Sequence, residues 1–216
     1  IIFAKDALKA RLEDATYDLN NLSDLLMRNH NTAYTVIDLV VANGTRQNPY
    51  AIFTEQDFWQ IGENSLSKTK FYRLMSNIYL STTKSIDDFS GGIDTVNNST
   101  FYTIYGVKLN NNVPNLFTNL SGELNNICFE AKLNYNDYKT SNENSTQYLG
   151  LIDQTNENAK LNNVCATIVG LSNSTGNHIA LNGNKDRPLY FGGLVGKNNG
   201  KIVYNLSTIT GVDITA

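Results

Sequence analysis

The sequence predicts a mostly β chain: a right-handed parallel β-helix of about four irregular coils, preceded by an amphipathic helical segment. Three observations point there. A short aliphatic pattern keyed on Asn or Gly recurs along the chain, helical periodicity fades after Phe89, and uncharged polar residues do the work that charge does elsewhere. Charged residues are only 17%, while about one residue in seven is Asn. The 12 Tyr and 9 Phe, within 41% hydrophobic residues, argue against disorder.

The recurring pattern is an aliphatic residue, any residue, Asn or Gly, then a second aliphatic. It occurs at Ile104-Tyr105-Gly106-Val107, Leu124-Asn125-Asn126-Ile127, Leu161-Asn162-Asn163-Val164 and Val203-Tyr204-Asn205-Leu206. An apolar stretch precedes each: Phe89 to Ile93, Leu116 to Leu120, Tyr148 to Ile152, and Phe191 to Gly196. One such unit cannot bury its own apolar face, but stacked units bury a continuous column. The corner residue needs a left-handed or bridge backbone, which Gly and Asn tolerate best. Gly106, Asn126, Asn163 and Asn205 are therefore expected to form a structural corner ladder, with Asn side chains hydrogen-bonding from coil to coil.

Cys128 and Cys165 each follow a corner Asn by two residues, so they fall at one position of successive coils. With Ile127, Phe129, Val164 and Ala166 turned inward, they become two stacked thiols on the outer face. Adjacent parallel strands bring side chains near disulfide range, so free thiols and a disulfide both stay open.

In front of the repeats, Leu8, Leu12, Ala15, Leu19, Leu22 and Leu26 step by a heptad-type rhythm. This predicts a helix laying one apolar stripe on a neighbour. Thr54-Glu55-Gln56-Asp57 looks like a capping box opening a second, short helix that carries Phe58, Trp59 and Ile61. Phe71 to Leu80 reads as a strand. The chain thus divides into a helical segment, residues 1–48, and a β-helix, residues 49–216, expected to be truncated at its C-terminal end. It begins at Ile1 with no charged-then-apolar leader, which suggests an excised piece of a larger parent chain. No stretch is long and apolar enough for a membrane span, and a net charge of -3 without a basic stripe gives nucleic acid no electrostatic footing.

Phe191-Gly192-Gly193-Leu194-Val195-Gly196-Lys197-Asn198-Asn199-Gly200-Lys201 resembles the GLUG repeat of bacterial surface proteins, a group that includes adhesins and the immunoglobulin A1 proteases. Phe89-Ser90-Gly91-Gly92-Ile93-Asp94, followed by Tyr102 to Val107, is similar to the opening of that family's β-helix. Leu116-Phe117 through Ile127 looks like the next coil, and Tyr50 to Trp59 with Tyr72 to Leu80 is similar to the segment that leads into it. The resemblance covers roughly residues 50–210. It implies a bacterial cell-surface or secreted virulence protein and an extracellular location. It also implies a scaffold that binds a protein or glycan on a host or neighbouring cell surface.

The metalloprotease members of the family keep a His-Glu-x-x-His zinc motif in a separate downstream region. Here the only histidines are His30 and His178, and neither begins that motif. Neither cysteine has a basic neighbour to lower its pKa, and no nucleophile elbow or phosphate loop occurs. Asp87, Asp88 and Asp94 read as surface turns rather than as a calcium site. The expectation is a non-catalytic module with no catalytic or metal-ligating residues and no cofactor. The alternative is the substrate-gripping N-terminal region of an immunoglobulin A1 protease-like zinc enzyme whose catalytic domain lies elsewhere. Partner contact is expected on the Asn134–Gln147 loop through Tyr135 and Tyr138.

Overall fold

The computed structural model describes residues 42–95, 101–134, 147–170, 179–182 and 188–215, all within one compact unit, residues 41–216. The heptad-type segment and the loop carrying Tyr135 and Tyr138 lie outside the described residues. The chain runs through β1 (Tyr50–Ile52), helix α1 (Glu55–Trp59), β2 (Phe71–Leu74), β3 (Ile78–Tyr79), β4 (Gly92–Thr95) and β5 (Tyr102–Asn110). It continues through β6 (Phe117–Leu120), β7 (Glu123–Asn125), β8 (Ile127–Asn134), β9 (Gln147–Leu149), β10 (Ile152–Thr155), β11 (Lys160–Asn162) and β12 (Cys165–Gly170). The last elements are β13 (Ile179–Asn182), β14 (Leu189–Phe191), β15 (Val195–Lys197), β16 (Lys201–Val203), β17 (Leu206–Thr210) and β18 (Val212–Thr215).

The protein is mostly β, and its strand pairings are parallel. The first sheet has the order β1-β2-β4-β7-β11-β16, the second β17-β12-β8-β5-β3 and the third β15-β10-β6. Two further pairs are β9 with β14 and β13 with β18. From β6 onward the chain visits the third, first and second sheets in that order, three times over. Each visit adds a strand beside the one laid down before.

The strand pattern follows from side-chain alternation. Along β8, Ile127, Phe129, Ala131 and Leu133 are buried, while Cys128, Glu130, Lys132 and Asn134 face outward. Register then stacks like on like. Tyr72, Ile93, Leu124, Leu161 and Ile202 occupy one row of the first sheet. In the third sheet Phe117, Ile152 and Val195 share another. Each such side chain that is fully buried contributes about 1.5–3 kcal/mol; Ile202, at the end of its row, stays partly exposed.

Sharp bends separate the first sheet from the second. Asn126 (φ 57°), Asn163 (φ 60°) and Tyr204 (φ 54°) occupy the bend in three successive visits, all left-handed. The Asn163 amide donates to the Asn126 side-chain oxygen at 2.8 Å, and the Asn126 and Asn163 backbone N–H groups donate onward to Asn162 and Val203. Two members of the expected ladder sit elsewhere. Gly106 is not a corner. It lies inside β5, where pairing jumps from Ile104↔Phe129 to Val107↔Ala131, a bulge with one extra residue whose positive φ of 75° suits Gly. Asn205 is displaced by one position, because Leu161↔Ile202 and Asn162↔Val203 place Tyr204 opposite Asn163 and Asn205 opposite Val164. A shift of one residue exchanges inside for outside. Asn205 accordingly closes the bend from within. Its amide donates to the Leu161 and Val203 carbonyls at 3.0 and 2.8 Å, and its oxygen accepts the Val164 N–H at 2.7 Å.

The turn between the third and first sheets has its own column: Gly91, Gly122, Ala159 and Gly200, each just before a strand of the first sheet. A Cβ on Gly122 would collide with the Gly91 carbonyl, so backbone packs directly on backbone there.

Helix α1 opens on the expected capping box, with Thr54 and Asp57 exchanging hydrogen bonds, and buries Phe58. The Glu55 carboxylate anchors it to the segment after β3. It accepts from the Ser81 N–H and Oγ at 3.0 and 2.7 Å, the Thr82 N–H at 3.1 Å and Trp59 Nε1 at 3.1 Å. Burial raises this carboxyl, but the donors together outweigh it and hold it at about 2. The expected strand from Phe71 to Leu80 is broken into β2 and β3, whose two halves join different sheets. The stack also begins earlier than Phe89, since β1 and β2 already pair in the first sheet.

Candidate binding face

Outward positions of the third sheet form a row crossing successive strands. Asn119, Gln154 and Lys197 are in direct register. An isolated bridge between Phe89 and Leu120 places Asp88 beside Asn119. The row is linked through its side chains. Asn119 Nδ2 donates to Asp88 Oδ1 at 2.9 Å, and Gln154 Nε2 donates to Asn119 Oδ1. Asp88 takes a left-handed backbone (φ 54°), tolerable for Asp.

Beside this row lies an open cleft of about 310 Å³, lined by Asp88, Asn119, Ser121, Gln154, Thr155 and Asn199 together with Asn156. Its floor is rigid. Buried Thr155 accepts the Asn199 and Gly200 N–H groups at 3.0 and 3.1 Å and donates to Asn198 at 2.7 Å. Asn199 Nδ2 closes back on the Thr155 carbonyl at 3.0 Å. Next to Gln154 in sequence, burial pushes the half-buried Asp153 carboxyl above its usual range.

An aromatic pair adjoins the Lys197 end. Tyr148 and Tyr190 are register partners whose rings stack at 5.3 Å, and Lys197 Nζ lies 5.3 Å from the Tyr148 ring centroid. Tyr190 is exposed.

Several carboxylates elsewhere are tied up individually. Asp87 accepts from Thr118 at 2.6 Å, and Asp94 takes Arg73 in a fork of 3.0 and 3.1 Å between paired strands. Glu123 lies between Arg46 and Lys160, and the Arg46 hydrogen bond leads in holding its carboxyl below the usual range. Among the described residues, no three His, Cys, Asp or Glu side chains gather where they could share a metal ion.

Cys128 and Cys165 are register partners, 4.5 Å apart at Cα, and their sulfurs are bonded. Of the two states left open for this stacked pair, free thiols and a disulfide, the structure has the disulfide. The outward row in which they sit runs Thr103, Cys128, Cys165, Leu206. The bond therefore fastens two successive visits to the second sheet.

Sequence reading overlooked the row of Asp88, Asn119, Gln154 and Lys197. One signal could have revealed it: the pairs Leu116-Phe117, Leu151-Ile152 and Leu194-Val195 align, and the residue two places after each is Asn119, Gln154 or Lys197. Comparison of the chain with family models, with curated proteins and with solved structures finds no match to any of them.

Proposed function

We propose that the chain is a non-catalytic, right-handed parallel β-helix module, akin to the GLUG-repeat proteins of bacterial surfaces. In this reading it serves as a rigid scaffold that presents a binding face to a neighbouring or host cell. The observation that carries this reading is the repeated traverse of three parallel sheets, which keeps outward rows in register while the aliphatic rows are sealed inside. A surface of that kind holds spaced side chains without a ligand to order them, so little ordering entropy opposes binding. The disulfide between neighbouring strands supports an oxidising, extracellular setting. The low charge and abundant Asn suit a surface that makes neutral polar contacts.

The test is direct. Beads coated with the folded chain should be retained on mammalian epithelial cells or on bacterial cells. Beads carrying the reduced and denatured chain should wash away. Equal retention of both on every surface overturns the proposal.

A further inference from the structure

The cleft along the third sheet has a chemistry that selects among ligands. Its lining is mostly neutral, made of the side-chain amides of Asn119, Gln154, Asn156 and Asn199 and the Ser121 hydroxyl over the buried Thr155, with Asp88 as its one carboxylate. The Asp88 carboxylate is already engaged by the Asn119 amide, and the one ammonium of the row, Lys197, sits at its far end over the Tyr148 ring. Such a lining offers little to an ion. It offers many paired donors and acceptors to a molecule dense in hydroxyl groups, because each amide presents both functions side by side.

The internal hydrogen bonds leave capacity over. Asn119 uses one of its two N–H groups on Asp88, and Gln154 uses one of its two on Asn119. Each keeps a second N–H, and Asp88 keeps its other oxygen. The bonds that are made hold the planes of these groups in place, which lowers the ordering cost of engaging a ligand.

Spacing supplies the second argument. The row crosses parallel strands, so its members repeat at roughly 4.8 Å. An extended, equatorially linked polysaccharide advances by about one such strand spacing per sugar. One sugar per strand would bring a hydroxyl-bearing edge to each of Asp88, Asn119, Gln154 and Lys197, with like hydroxyls recurring on every second strand because successive sugars alternate in orientation. The stacked Tyr148–Tyr190 pair, on the strands just before β10 and β15, flanks the row beside Lys197 with an aromatic surface of the kind on which a pyranose C–H face packs.

We infer that the cleft beside the row Asp88–Asn119–Gln154–Lys197 binds an uncharged, extended glycan chain, lying along the stack with about one sugar per strand. This inference rests on the binding-platform reading above and gives that platform its ligand class.

The experiment is an NMR titration of the isotopically labelled chain with cellohexaose, xylohexaose and maltohexaose, following side-chain amide signals. The expected result is saturable shifts of the Asn119, Gln154 and Asn199 NH₂ groups with an extended hexasaccharide, cellohexaose or xylohexaose. Gln154→Ala and Asn119→Ala should each weaken that binding about tenfold, equivalent to about 1.4 kcal/mol, with thermal midpoints lowered only slightly by the loss of side-chain hydrogen bonds within the row. Should either variant misfold, Tyr190→Ala supplies the same comparison at the exposed end. No shift with any of the neutral hexasaccharides overturns the inference, as does binding of sulfated saccharides alone. Bead retention on cells that is destroyed by treating the cells with protease, yet equal for Gln154→Ala and the parent chain, also overturns it while leaving the platform reading intact.

Discussion

Two visits of the chain to the same sheets make an instructive pair. The middle one, β10 through β12, is covered on both sides by its neighbours. The last, β15 through β17, is paired on one side only within each of the three main sheets. Their sequences follow the same plan, yet the outcomes differ. Leu161 is fully buried, whereas its row partner Ile202 is 39% exposed. Cys165 is bonded to its neighbour, whereas the next residue in that row, Leu206, is 65% exposed. Asn163 turns the middle corner with its amide bonded to Asn126, whereas Tyr204 turns the last one 85% exposed. Position in the stack, more than residue type, decides what a side chain contributes.

The largest difference between middle and end is expected inside the first-sheet row. Leu161→Ala should cost about 2–5 kcal/mol, while Ile202→Ala, already half in solvent, should cost about 1 kcal/mol or less. Urea midpoints at equal slope measure both, and equal losses would dissolve the distinction between middle and end. Next comes the disulfide. Replacing Cys128 and Cys165 together by Ser should remove about 2–4 kcal/mol, read as a lowered urea midpoint relative to the oxidised chain, and reductant alone should do the same to the parent.

The corners give opposite signs. Asn163→Ala puts a Cβ-bearing residue without a side-chain hydrogen bond into a left-handed site and should cost about 1–2 kcal/mol. Tyr204→Asn relieves a bulky residue of that conformation and extends the amide ladder. It should gain up to about 1 kcal/mol, visible as a raised thermal midpoint. A destabilising Tyr204→Asn would show that the exposed ring has a structural use.

The smallest effect belongs to the start of the stack. Glu55 is held at about 2 against an ordinary 4.5, so its contribution is present above pH 4.5 and is lost as pH falls through 2. Across that window the parent chain should lose slightly more stability than Glu55→Gln, with parallel curves above it. Urea midpoints of the two proteins at neutral pH and at pH 2 make the measurement.

Much of the β character was legible because alternation is a local property. Ile127, Phe129, Val164 and Ala166 could be turned inward from spacing alone, and that placed Cys128 and Cys165 in one outward row. The two lapses at the corners share a cause. Matching Val203-Tyr204-Asn205-Leu206 to Leu161-Asn162-Asn163-Val164 assumed that the Asn marks the bend. The hydrogen bonds that set register lie between strands about forty residues apart, beyond what a four-residue pattern can see. Gly106 misled in the same way, since a bulge and a corner ask the same positive φ of a glycine. The row Asp88–Asn119–Gln154–Lys197 stayed hidden because its members differ in chemistry and become a group only through pairing.

The bond between Cys128 and Cys165 also sets a load path. It closes a ring across a sequence separation of 37 residues. A chain pulled from its two ends passes tension straight through the sulfurs and leaves that ring slack. Fully stretched, the oxidised molecule should therefore fall short of the reduced one by about 12 nm of contour length. A pull on the two ends would thus leave one whole return of the backbone to the second sheet out of reach of the force.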